Sequence, residues 1–187
     1  GFSAFLSSDG TTLAIGALYN DGNGTDAGHV RIYKYSAGSW NQLGSDIDGE
    51  AAGDISGSNV SLSSDGTVVA IGATFNDGNG SSSGHVRVYE YASGSWSQLG
   101  SDIDGEAAFD GSGWSVSLSS DGTTLAIGAP NNDGNGTDAG HVRIYKYSSG
   151  SWSQLGADID GEAAGDNSGR SVSLSSDGNK VAIGAPF

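Results

Sequence analysis

From residue 60 the chain alternates, with Val60 and Leu62 apolar and Ser61 and Ser63 polar. This period-two pattern sets one face of a strand against a core. Ser-Asp-Gly at 64–66 supplies a tight turn, and VVAIGA at 68–73 predicts a second strand, apolar throughout. A longer loop, TFNDGNGSSSG, leads into HVRVYEY at 85–91, where Val86 and Val88 share one face and Arg87, Tyr89 and Tyr91 the other. A Ser-Gly turn at 93–94 returns the chain through SWSQLGSDI, and the acidic loop at 104–113 ends the unit. No stretch carries helical periodicity.

The unit recurs. LSSDGTTLAIGA at 6–17 returns, little changed, at 62–73, 118–129 and 174–185, a step of 56 residues. Four antiparallel strands, here named a to d, in a unit too thin to bury both of its faces predict an all-β fold, a β-propeller of four-stranded antiparallel blades. A β-solenoid is the alternative, although its coils are usually shorter. The blades fall at residues 1–56, 57–112 and 113–168, and residues 169–187 supply strands a and b of a fourth. The chain therefore reads as a portion of a larger propeller, or as one that closes with another copy. Strand a is expected innermost, with Val60, Leu62, Val69, Ile71, Val86 and Val88 buried between blades. The a–b and c–d turns then share one end of the disc, and the b–c and d–a loops the other.

Composition sharpens the choice of partner. Against 22 acidic residues stand 7 basic ones, a net charge of −15, which repels nucleic-acid phosphate and anionic membranes and attracts cations. Neither nucleic acid nor membrane insertion is expected, since no apolar run approaches the ~20 residues of a span. With no cysteine, there is no disulfide, thiolate nucleophile or soft-metal ligand.

Residues 113–145, GWSVSLSSDGTTLAIGAPNNDGNGTDAGHVRIY, resemble the FG-GAP repeat of integrin α-subunit propellers and of many secreted proteins. Gly113 and Gly169 match the family's glycine before strand a, and its Gly-Ala-Pro stands at 128–130 and 184–186. The departures are Ser56, Ser112 and Ser168 in place of the Phe of Phe-Gly, and Gly-Ala-Leu at 16–18 and Gly-Ala-Thr at 72–74. The resemblance implies a secreted propeller. It does not transfer calcium ligands, because the family's calcium loop joins strands a and b, where this chain has only Ser-Asp-Gly.

The residues themselves move the metal question to the b–c loop. Asp21, Asn23 and Thr25 follow a one-three-five spacing with Asp26 next, and Asp133, Asn135, Thr137 and Asp138 repeat it. Such hard oxygen donors suit Ca²⁺, the expected cofactor, at the weak end of the range, ~10⁻⁴–10⁻³ M. The middle loop offers Asp77 and Asn79 but has Ser82 for the second aspartate. An Asx-turn loop bonding its own backbone is the alternative. The d–a loops hold a second set, Asp48, Glu50 and Asp54 with their equivalents, which otherwise reads as a solvated acidic loop. Asn23, Asn79 and Asn135 also begin glycosylation sequons.

His29, His85 and His141 recur with the repeat and read as structural; Trp40, Trp96 and Trp152 read as outer-strand packing. Aromatics that break the repeat are more informative. Tyr19, Phe75, Phe109 and Trp114 fall on loop-face positions where other repeats carry different residues, and are the candidate ligand-binding set; burial between blades is their alternative. The function expected is an extracellular, calcium-dependent adhesion or recognition module. Its partner is a protein or glycan at the cell surface, with other copies of the chain as a further partner. A structural unit of a surface filament or sheath is the competing class. An enzyme ranks below both, because no catalytic constellation stands outside the repeat.

Overall fold

Strand b decides the architecture, because its apolar residues alternate between two neighbours. The computed structural model describes residues 1–187. The first blade comprises β1 (Ser3–Leu6), β2 (Thr12–Ala17), β3 (His29–Ser36), β4 (Ser39–Gln42) and β5 (Ile47–Asp48). The second comprises β6 (Asn59–Leu62), β7 (Val68–Ala73), β8 (His85–Ala92), β9 (Ser95–Gln98) and β10 (Ile103–Asp104). The third repeats it with β11 (Ser115–Leu118), β12 (Thr124–Ala129), β13 (His141–Ser148), β14 (Ser151–Gln154) and β15 (Ile159–Asp160), and β16 (Ser171–Leu174) with β17 (Val181–Gly184) forms a last hairpin.

Each blade is an antiparallel a-b-c-d sheet, as the hydrophobic pattern predicts, with one refinement. Strand d is interrupted: β4 pairs the end of β3 from Tyr33 to Ser36, whereas β5 pairs its start at His29 and Val30. Between the two pieces the chain swings out at Gly44, which has a φ of 77°. The c–d turns, such as Ser93-Gly94, place both residues at positive φ, 54° and 90°. That is the type I′ geometry matching strand twist.

Blade-to-blade packing follows strand parity. On one side of the second blade, Val60, Leu62, Val69 and Ile71 cluster with Ala14, Val30, Ile32 and Ile47 of the first. Its other side presents Val68, Ala70, Val86 and Val88 to Val116, Leu118, Leu125 and Ile127 of the third. All six residues expected between blades are buried. Repeats that share the sequence TLAIGA show the effect of the neighbour: β12 is buried at every position, whereas β2 is buried only at alternate ones.

Innermost strands would present bare edges toward the axis, and serines close them. The Ser61 hydroxyl accepts the Leu118 amide at 3.0 Å, and that of Ser117 accepts the Leu174 amide at 3.0 Å. At the turn end, Ser64 N–H donates to the Ser120 carbonyl at 2.9 Å, and Ser120 N–H to that of Ser176 at 2.9 Å. The polar half of the VSLS alternation thus substitutes for a neighbouring strand.

The a–b turns are fastened by their aspartates. Asp121 accepts the Ser119 hydroxyl at 2.6 Å and the Thr123 amide at 3.0 Å, while Ser119 Oγ accepts the Thr124 amide at 2.9 Å. Bonds to the ionised form, that from Ser119 foremost, hold the Asp121 carboxyl at about 2. The folded pKa lies below the unfolded one, so this stabilisation is present above about pH 4 and lost as pH falls toward the folded value.

Two outcomes are expected. Leu125→Ala should destabilise by about 2–5 kcal/mol, since Leu125 is fully buried and a cavity remains. Leu13→Ala, at the equivalent half-buried position of the first blade, should cost less than half as much in urea denaturation. Asp121→Asn should flatten the loss of stability between pH 4 and pH 2, followed by denaturation midpoints; an unchanged slope would show that the turn carboxylate contributes nothing there.

Candidate functional site

Close approach of backbones at one end of the blades sets out the loop-rich face. A Cβ on Gly72 would stand 2.1 Å from the Gly113 carbonyl oxygen, and one on Gly128 2.0 Å from that of Gly169. Strand b of one blade therefore touches the entry to strand a of the next, and both positions must be glycine. The residue after that entry glycine is Phe2, Ser58, Trp114 and Arg170 in turn, and all four face one cavity. Tyr19 and Phe75 leave the ends of β2 and β7 beside them.

These side chains converge. A cavity of about 340 Å³ is lined by Phe2, Leu18, Tyr19, Ile55, Ser58, Asn59, Thr74, Phe75, Trp114 and Arg170. Three of the four aromatics singled out from the sequence, Tyr19, Phe75 and Trp114, thus share one site and remain open to solvent at 72, 49 and 37%. Phe109 does not join them; it projects from the d–a loop at a φ of 72° and 66% exposure. Phe2 and Arg170 were not in the sequence-derived set, although both occupy the same variable position as Trp114. The Arg170 guanidinium carbon lies 5.2 Å from the Trp114 ring centroid, within cation–π range.

In the b–c loops, the carboxylates hold backbone. Asp21 Oδ1 accepts the Asp26 amide at 2.9 Å, Asp77 the Ser82 amide at 2.7 Å and Asp133 the Asp138 amide at 2.8 Å. Asp26, Ser82 and Asp138 all take a left-handed φ of 50–54°, so the middle loop folds alike without its second carboxylate. Asn23, Asn79 and Asn135 each donate to the carbonyls of two d–a residues, beginning with Gly49, Gly105 and Gly161 at 2.8 Å. Thr25 and Thr137 make no side-chain hydrogen bond. In the d–a loops, Asp54 and Asp110 are buried and accept Asn76 and Asn132 amides at 3.0 Å.

A different grouping gathers at the blade junctions, unforeseen because its members lie far apart in sequence. Glu50 reaches from the first blade to His85 and Asp102 of the second, and Glu106 from the second to His141 and Asp158 of the third. Arg87 donates to the Asp48 carbonyl at 2.8 Å and approaches Glu50 at 3.4 Å, while Trp96 Nε1 donates to the Leu43 carbonyl at 2.7 Å. Arg143 and Trp152 repeat the arrangement one blade on. Burial, then the adjacent arginine, pushes His85 and His141 below the ordinary imidazole value. A signal existed in the common 56-residue step of Glu and His, but it needs the blade-to-blade register to be read.

Residues 102–145 match the family model of the FG-GAP repeat. No curated protein matches the chain. Among solved structures, a Bacteroides uniformis protein assigned as a 6-phosphogluconolactonase superposes with a TM-score of 0.60 at 13% identity, over 97% of this chain and 46% of its own. The periplasmic gluconolactonase of Pseudomonas aeruginosa gives 0.59 at 19%, over 97% and 48%, and hydrazine synthase of Kuenenia stuttgartiensis 0.57 at 16%, over 97% and 49%. The likeness shows a propeller fold. This chain spans about half the length of each of these proteins.

Proposed function

Starting from an FG-GAP repeat carried on equivalent propeller blades, we propose that the chain is a recognition module of the cell exterior that binds a glycan in the cavity between Phe2, Tyr19, Phe75 and Trp114. One observation carries the reading: the aromatics at the repeat's variable positions line a single cavity of about 340 Å³, within the size of ligand sites. Exposed aromatic faces stack on the apolar faces of sugar rings, and polar tips fix orientation. Asn59 and Arg170 supply donors at the same opening, and Arg170 forms no ion pair, which favours acidic sugars.

Binding fits this lining better than catalysis does. Neither a carboxylate nor an imidazole lines the cavity, so no group there is suited to proton transfer near neutral pH. Calcium at the Asp21–Asp26 and Asp133–Asp138 loops belongs to the same proposal as a weak accessory ion, because each loop is already closed by its own hydrogen bonds.

Trp114→Ser and Phe75→Ser should each lower affinity for an array-identified acidic glycan at least tenfold, with the melting temperature nearly unchanged. Arg170→Gln should weaken acidic glycans more than neutral ones. A chain that binds no glycan on the array, or that binds equally after Trp114→Ser, supports a structural unit of a surface filament or sheath instead.

A further inference from the structure

We infer that each of the two junctions between complete blades is a binding site for a divalent transition-metal ion of the zinc and cobalt class, held by one imidazole and two carboxylates drawn from adjacent blades. The sites are Glu50, His85 and Asp102 at the first junction and Glu106, His141 and Asp158 at the second. They are independent of the axial cavity.

The second junction shows the geometry best. His141 is 1% exposed through its side chain, and its Nδ1 faces Glu106 Oε2 at 3.9 Å and Asp158 Oδ2 at 3.9 Å. Those separations are too long for hydrogen bonds. A tetrahedral ion with bonds of about 2.1 Å separates its ligands by about 3.4 Å. Side-chain shifts of about half an ångström bring each carboxylate oxygen to that distance from Nδ1, and all three ligand atoms already lie within 4.8 Å of one another. The ring's other nitrogen, Nε2, is buried without a partner, so Nδ1 is the imidazole's one route to a ligand. His85 repeats the placement, 2% exposed, with Nδ1 3.8 Å from Glu50 Oε2.

Each carboxylate divides its two oxygens between a neighbour and the imidazole. Arg143 approaches Glu106 Oε1 at 3.6 Å and Gln154 donates to Asp158 Oδ1 at 2.6 Å, leaving Oε2 and Oδ2 toward His141. Arg87 and Gln98 hold the outer oxygens of Glu50 and Asp102 in the same way. Outer partners that fix ligand orientation in this manner are a regular part of metal centres. One nitrogen and two carboxylates suit zinc and its neighbours, whereas calcium prefers an all-oxygen shell. In the first blade His29 meets Asp46 and Asp48, but Arg31 takes both oxygens of Asp46 at 2.8–3.0 Å. That cluster should bind weakly or not at all.

The test is calorimetric titration of Zn²⁺ into the whole chain, with Co²⁺ absorption as a second readout. Two ions per chain are expected, with the visible spectrum of a low-coordinate nitrogen–oxygen site and a melting temperature raised by Zn²⁺. His141→Gln or Asp158→Asn should each remove one ion and leave one, and the His85→Gln, His141→Gln double variant should remove both. No binding below millimolar free ion overturns the proposal. So does undiminished stoichiometry in the double variant, which would place the ions on surface carboxylates such as those of the b–c loops. Should the histidine variants fail to fold, Asp158→Asn decides alone, since Asp158 is partly exposed and its loss must still remove one ion.

Discussion

Everything in this molecule depends on strand b being covered from both sides by its neighbours. A single blade is one sheet thick, and the alternating side chains of its second strand point to opposite faces, so neither face can be dry without another blade. The identical stretch TLAIGA makes the point within one chain, fully buried at β12 and only alternately so at β2. Burial here belongs to the junction rather than to the sequence of any one unit, as expected where stability sums over nearest-neighbour interfaces.

Polar groups make these junctions specific. Trp96 and Trp152 carry an indole donor across to the preceding blade, and Gly44 and Gly100 leave the room their rings require, with a Cβ there falling 2.7 and 2.8 Å from the indole carbon. Gly156, which faces no further tryptophan, has open space around it. Arg87 and Arg143 spend two of the few cations of an acidic chain on the same seam. Its geometry then leaves His85 and His141 dry and facing carboxylates.

Much of this was legible beforehand, and the reason is the repeat. Four copies of one pattern average out local ambiguity, so the strands, the turns at 64–66 and 93–94 and the burial of Val60 through Val88 could be read from alternation alone. Of the residues that depart from the pattern, Tyr19, Phe75 and Trp114 line one cavity. Phe109 did not join them, because it sits in the d–a loop at a φ of 72° rather than beside the strand a entry or the end of strand b, a distinction that periodicity does not encode. Asp21 and Asp133 looked like ligands by spacing, yet one oxygen of each secures the loop's own amide. The Glu50–His85 and Glu106–His141 contacts needed the blade-to-blade register to be read, because each pairs a d–a loop of one blade with strand c of the next.

The stitching of each innermost strand to the next has a consequence for how the chain becomes structured. The longest-range side-chain bonds across a junction join residues 53–57 positions apart, as between Trp96 and Leu43 or Leu118 and Ser61. That separation stays constant however many blades follow, so the entropy of closing each loop does not grow along the chain. Every blade can dock on its predecessor as soon as it has emerged from the ribosome, and assembly proceeds in order of synthesis without waiting for distant segments to meet.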